Sequence, residues 1–151
     1  MIIREVKPED AKAIIQLSVE FDNYLRQLGD TNTVIFNEDI YIRDGFGANA
    51  AFSGIVAETD GEVIGYLLYH HGYDFDHGGR VVYLVDLYVR ETARRKGTGR
   101  ALMEASADIC RKAGGNELVW AVYNPNKQSS AFYESLGAQY IKDMSYMHWK
   151  V

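Results

Sequence analysis

Val81-Val82-Tyr83-Leu84-Val85-Asp86-Leu87-Tyr88-Val89, followed after four residues by Arg94-Arg95-Lys96-Gly97-Thr98-Gly99-Arg100, decides how this chain folds. The first string is apolar on both faces, the pattern of a central strand covered on each side, and Asp86 is its only charge. The second precedes Gly99 to Ala113, a predicted helix with Leu102, Ala105, Ile109 and Ala113 on one stripe and Gly114-Gly115 as its stop. A strand, a glycine-rich turn and a helix start in that order make a phosphate-binding architecture. Glycines let bare backbone N–H groups approach an anion, and the helix start adds partial positive charge.

Working outward, Ile2 to Val6 reads as a strand, and Pro8 to Leu25 as a helix with Ile14, Leu17, Phe21 and Leu25 at helical spacing. Glu38 to Asp44 reads as a second, shorter helix. Gly54 to Glu58 and Val63 to His70 are β-rich runs around Asp60-Gly61, a two-residue hairpin signal, and Gly72 to Gly79 reads as a loop. Leu118 to Val122 is a further strand, Pro125 to Leu136 a helix, and strand residues resume near Gln139 and run to the C-terminus. The order predicts one mixed α/β domain over residues 1–151, built on a mostly antiparallel sheet flanked by helices.

The 151 residues, 47% hydrophobic, suit one substantial core. Nothing near the N-terminus reads as a signal peptide and no apolar run is long enough to span a membrane, so a cytoplasmic protein is expected. The single cysteine, Cys110, forms no intrachain disulfide, in keeping with a reducing compartment. A net charge of -5 argues against a nucleic-acid surface, yet Arg90, Arg94, Arg95, Lys96 and Arg100 concentrate positive charge in one segment, which points to an anionic ligand. His70, His71 and His77 with Asp74 and Asp76 look like a metal cluster at first sight. Adjacent strand residues point to opposite faces, so they read as strand-end and loop residues and no metal is expected.

Neither the Walker phosphate loop nor the dinucleotide fingerprint fits, since no Gly-Lys-Ser/Thr string occurs and Leu102 stands where the third glycine is needed. Read as Arg-x-x-Gly-x-Gly, the loop resembles the pyrophosphate signature of the GNAT superfamily of N-acetyltransferases. Tyr83 to Val89, the loop, Asn126-Lys127-Gln128-Ser129-Ser130-Ala131-Phe132-Tyr133 and Gly137-Ala138 occur in that family's order and spacing, and the resemblance is to its diamine and polyamine branch.

The resemblance implies acetyl-CoA as cosubstrate, a primary amine as acceptor, no metal and a homodimer. By position, the backbone of Leu87, Tyr88 and Val89 holds the pantetheine arm, and Arg94, Arg95, Lys96, Gly97, Thr98, Gly99 and Arg100 surround the pyrophosphate. Asn126 and Ser129 hold the far part of coenzyme A, and Tyr133 falls where the family's tyrosine protonates the departing thiolate. A phenol of pKa ~10 suits a thiolate whose acid has pKa ~8.5. Read without the resemblance, Tyr133 is equally a core aromatic, and Asp86 is either a structural carboxylate at a strand irregularity or the group that binds the amine or relays its proton.

Two positions depart from the branch: Val85 stands where it commonly has a glutamate, and Tyr123-Asn124-Pro125-Asn126 lacks its tryptophan. Three functions follow as alternatives: an acetyltransferase for a diamine, polyamine or amino-acid-like amine; an acetyltransferase for an antibiotic or protein amine; and a non-catalytic acyl-CoA or nucleotide sensor.

Overall fold

Asp10 shows how the N-terminal segment is pinned. It accepts the Lys7 N–H at 2.8 Å and two hydrogen bonds from Arg4 at 2.8 Å each, while Arg4 also reaches Glu58 at 2.7 Å. The computed structural model describes residues 1–151, which divide into two units, Met1–Ala121 and Val122–Val151.

The first unit carries β1 (Ile2–Glu5), α1 (Ala11–Gln27), α2 (Glu38–Gly45), β2 (Ser53–Thr59), β3 (Glu62–Asp74), β4 (Gly79–Val89), α3 (Thr98–Lys112) and β5 (Gly115–Trp120). The strands lie in the order β1-β2-β3-β4-β5, antiparallel except for the β4–β5 pair. This is the expected mixed, mostly antiparallel α/β sheet with helices packed on it. Asp60 and Gly61 both adopt positive φ at the β2–β3 turn, as their sequence predicts.

Ile14 and Leu17 of α1, Tyr41 of α2, and Val56, Tyr66, Leu68 and Tyr88 of the sheet form one buried cluster. Against the other sheet face lies α3, and here the expected stripe is corrected: the buried residues are Thr98, Leu102, Met103, Ser106 and Cys110, while Ala105, Ile109 and Ala113 are half-buried. Small groups let the helix close on the sheet. Ser106 returns its hydroxyl to the Met103 carbonyl, and a Cβ on Gly115 would lie 2.7 Å from the Cys110 sulfur and 2.6 Å from the Arg80 carbonyl oxygen.

Two further expectations change. The Gly72 to Gly79 loop shrinks because β3 runs on to Asp74, opposite Gly79; the Asp74 carboxylate accepts the N–H groups of Asp76 and His77 and closes the turn itself. In the second unit, α4 (Lys127–Ser135) is the one regular element, and the strand expected from Gln139 onward is absent. Residues 139–151 have the apolar alternation of a strand, but a strand also needs a partner edge, which periodicity does not supply.

Candidate active site

β4 holds the geometry that matters. Leu84 lies opposite Tyr69 but Asp86 lies opposite Leu68, so Val85 is an extra residue bulged out of the ladder and 50% exposed. The extra residue reverses the alternation. Asp86 is thereby turned onto the same face as Tyr66, Leu68 and Tyr88, the layer that packs under α1, where an unbulged strand would direct it to the α3 side.

There the carboxylate accepts the Tyr66 hydroxyl at 2.6 Å and the Leu87 N–H. Burial pushes Asp86 up to about 6, against the partial compensation of those two donors. The Tyr66 hydroxyl, wholly buried and next to that carboxylate, is held well above its ordinary range.

β4 and β5 pair only as far as Leu84 and Trp120, and β4 then continues to Val89 paired with β3 on its other side. Arg90 N–H donates to the Ile64 carbonyl at 2.9 Å. Alternation along the antiparallel β3–β4 ladder then directs the N–H groups of Leu87 and Val89 away from β3, to the side that β5 has left. Leu87 spends its N–H on Asp86, and Val89 presents its N–H at the parting of the two strands.

The turn into α3 follows. Arg95 (φ 60) and Gly97 (φ 85) both take the left-handed conformation, and Thr98, buried, ties the turn down by donating its hydroxyl to the Ala93 carbonyl at 3.2 Å. The helix ladder begins with Ala101 N–H to the Gly97 carbonyl. The N–H groups of Thr98, Gly99 and Arg100 therefore head the helix with no intrahelical partner, the arrangement that binds an anion. Arg95, Lys96 and Arg100 are exposed around it.

Arg94 is turned elsewhere. Its Nε donates to the Val89 carbonyl at 2.8 Å, and its guanidinium lies over the rings of Tyr88 (5.2 Å) and Tyr24 (5.6 Å). Phe21 stacks on Tyr88 at 5.2 Å, and Glu20 of the same helix accepts from Arg90 at 3.3 Å. The end of α1 is thus fastened to the end of β4.

In the second unit, Asn126 is 2% exposed and caps α4, its Oδ1 accepting the Ser129 N–H at 3.1 Å. Tyr133 lies on α4, half-buried, its ring 5.2 Å from that of Phe132. Gly137 (φ 90) ends the helix, and Ala138 N–H returns to the Tyr133 carbonyl.

The histidines serve local structure: His70 stacks on Tyr83, and His77 pairs with Asp74 at 2.5 Å. No group of three or more His, Cys, Asp or Glu side chains is placed to hold a metal ion, and no helix is long and apolar enough to cross a membrane. Sequence reading missed Tyr66, Tyr24 and Glu20. For Tyr66 a signal existed, because a tyrosine inside a buried strand needs a partner for its hydroxyl and Asp86 needs a donor.

A parallel strand pair that parts beside an anion-binding helix start makes a place for a phosphate-bearing ligand. The Acetyltransferase (GNAT) family model matches residues 14–138, and the chain belongs to that family as an acetyl-CoA-dependent N-acetyltransferase. It is 33% identical to the thialysine N-epsilon-acetyltransferase of Bos taurus, the match covering 98% of this chain and 89% of the relative. Among solved structures it resembles a mutant of a Bacillus halodurans protein (TM-score 0.83, 23% identity, 99% of this chain and 100% of that one). It also resembles an aminoglycoside N-acetyltransferase in complex with CoA (TM-score 0.71, 16% identity, 99% and 100%).

Proposed function

We propose that the chain transfers acetyl from acetyl-CoA to the primary amine of a small molecule, a diamine, polyamine or amino-acid-like compound, by direct attack of the neutral amine on the thioester. The observation that carries this reading is Asp86, a half-buried residue whose carboxylate the Val85 bulge turns onto the Tyr66 face, three residues before the N–H of Val89. The name of the thialysine relative, with its epsilon amine, supports the acceptor class.

Asp86 accepts the proton that the attacking amine must lose. An alkylamine has a pKa of ~10.4, so neutralising it at pH 7 costs about 4.6 kcal/mol. A carboxylate raised to about 6 is a better acceptor than an ordinary aspartate, because the gap to the amine is smaller. As the amine nitrogen bonds to the carbonyl carbon, Val89 N–H stabilises the developing oxyanion; as the C–S bond breaks, Tyr133 donates its proton to the thiolate sulfur. The second proton of the amine, left on the new amide nitrogen, re-protonates the Tyr133 phenolate by way of solvent, and proton loss from Asp86 to solvent restores the site.

In this reading the N–H groups of Thr98, Gly99 and Arg100, with the side chains of Arg95, Lys96 and Arg100, bind the pyrophosphate, and Asn126 and Ser129 hold the far part of coenzyme A. Arg94 contributes by fastening the turn to β4. Replacing Arg95, Lys96 and Arg100 together by Gln is expected to raise the KM for acetyl-CoA by roughly 10–100-fold and to flatten its salt dependence, with kcat changed only a few-fold. Initial-rate kinetics at two ionic strengths check this.

We also place the protein in the cytoplasm, acting as a single domain and pairing as a homodimer. Cys110, buried and free, supports the first, and the family resemblance supports the last. The overall test is thiol release from acetyl-CoA against diamines, polyamines, basic amino acids and aminoglycosides. Release that depends on a small linear amine is the expected result. Release with aminoglycosides alone, or coenzyme A binding without turnover of any amine, would reject the proposed acceptor class.

A further inference from the structure

Tyr66 is wholly buried in β3, and its hydroxyl donates to Asp86 Oδ2 at 2.6 Å. The two residues are diagonal neighbours across the β3–β4 ladder, since Asp86 lies opposite Leu68 and Tyr88 opposite Tyr66. They meet because the Val85 bulge brings Asp86 onto the Tyr66 face. A hydroxyl in that place is not needed for packing, because a phenylalanine ring fills the same volume.

We propose that Tyr66 is a positioning residue for the transfer reaction, its hydroxyl holding the Asp86 carboxylate in one orientation and keeping it ionised so that it can take the amine's proton. The inference rests on the reading of Asp86 as proton acceptor. The geometry explains how a carboxylate survives in this layer: Tyr66 and the Leu87 N–H are its two donors, and both favour the charged form.

The hydroxyl is well suited to this. Burial and the adjoining carboxylate keep Tyr66 protonated through the working range, so it acts as a fixed donor and not as a second titrating group. Tyr88, on the same face, helps to hold the Tyr66 hydroxyl up, and is itself met by Glu20 from α1 at its hydroxyl and by Arg94, from the loop before α3, over its ring. Arg90, at the end of β4, pairs with Glu20 and Glu62. Desolvation raises Asp86, and its two donors, Tyr66 from β3 and the Leu87 N–H from its own strand, oppose that rise.

The test compares the native chain, Tyr66→Phe, Asp86→Asn and the double variant. The pH dependence of kcat/KM is read for the amine giving the fastest thiol release, together with the pH titration of the Asp86 carboxyl carbon by ¹³C NMR. The Asp86 resonance is assigned by its absence from Asp86→Asn.

In the native chain the break that reports Asp86 is expected near pH 6. In Tyr66→Phe the break and the carboxyl titration both move up by about one unit, so that kcat/KM at pH 6 falls by about five- to sixfold while the value at pH 9 stays within about twofold. In the Asp86→Asn background, adding Tyr66→Phe should leave the profile unchanged. A Tyr66→Phe profile lowered evenly at all pH values, with the carboxyl titration unmoved, overturns the role of Tyr66 and leaves that of Asp86 standing. Should the break survive in Asp86→Asn, the proton-acceptor reading itself fails and Tyr66 loses its role with it. The NMR titration needs no activity, so it decides the matter even in a slow variant.

Discussion

Asp86→Asn is expected to lower kcat/KM for the amine by about 100-fold or more at pH 7.5, the range typical of a lost general base, and to remove the break near pH 6. The same substitution should also remove a pH dependence of folding stability. In the unfolded chain Asp86 titrates at its ordinary 3.8, and in the folded protein at about 6. Between those values the folded state holds a proton that the unfolded state has lost, so folding stability falls as pH rises through this window.

The native chain should therefore lose about 2–3 kcal/mol from this one group between pH 3.5 and pH 7.5, and Asp86→Asn should lose none of it. Denaturant unfolding of both proteins at the two pH values measures the difference of differences, which cancels every other titrating group. Parallel behaviour would show that the carboxylate is well solvated in the fold, and the raised pKa would then have no place in the mechanism.

Tyr133→Phe carries the second large effect: a fall in kcat of about 10²–10³-fold with the KM for acetyl-CoA changed less than about threefold. A thiolate whose acid has pKa ~8.5 leaves more readily when it is protonated during C–S cleavage, and a phenol of pKa ~10 donates at a cost of only about 2 kcal/mol. Phenylalanine keeps the ring and its packing beside Phe132. Steady-state kinetics with the amine saturating give the split. Equal rates for the two proteins would return Tyr133 to the status of a packing aromatic on α4.

The central strand, the hairpin at Asp60-Gly61, the long first helix and the glycine turn before α3 were all legible from local pattern, because each is written in residues that fix their own backbone. Gly97 is an example: its positive φ is the conformation that glycine alone takes freely, and the phosphate-type turn follows from it. The errors have a common physical cause. The stripe on α3 is turned toward Met103, Ser106 and Cys110, a rotation of the helix on the sheet that its own periodicity does not fix, and the close approach of Gly115 to the Cys110 sulfur shows where the helix comes to rest. The C-terminal alternation was real, but strand formation depends on a partner edge.

For the candidate site, the residue types were visible and their orientations were not. The sequence by itself determined the anion-binding helix start, the apolar strand with a single carboxylate and the order of motifs that marks the family, since all three depend on chain neighbours. Only the tertiary structure decided that Val85 bulges out, that Asp86 consequently faces Tyr66 in the layer under α1, that Arg94 turns back onto Val89, and that β4 runs on past β5. Those outcomes are set by register and by packing between elements far apart in the chain, where one extra residue in a strand reverses which face every later side chain occupies.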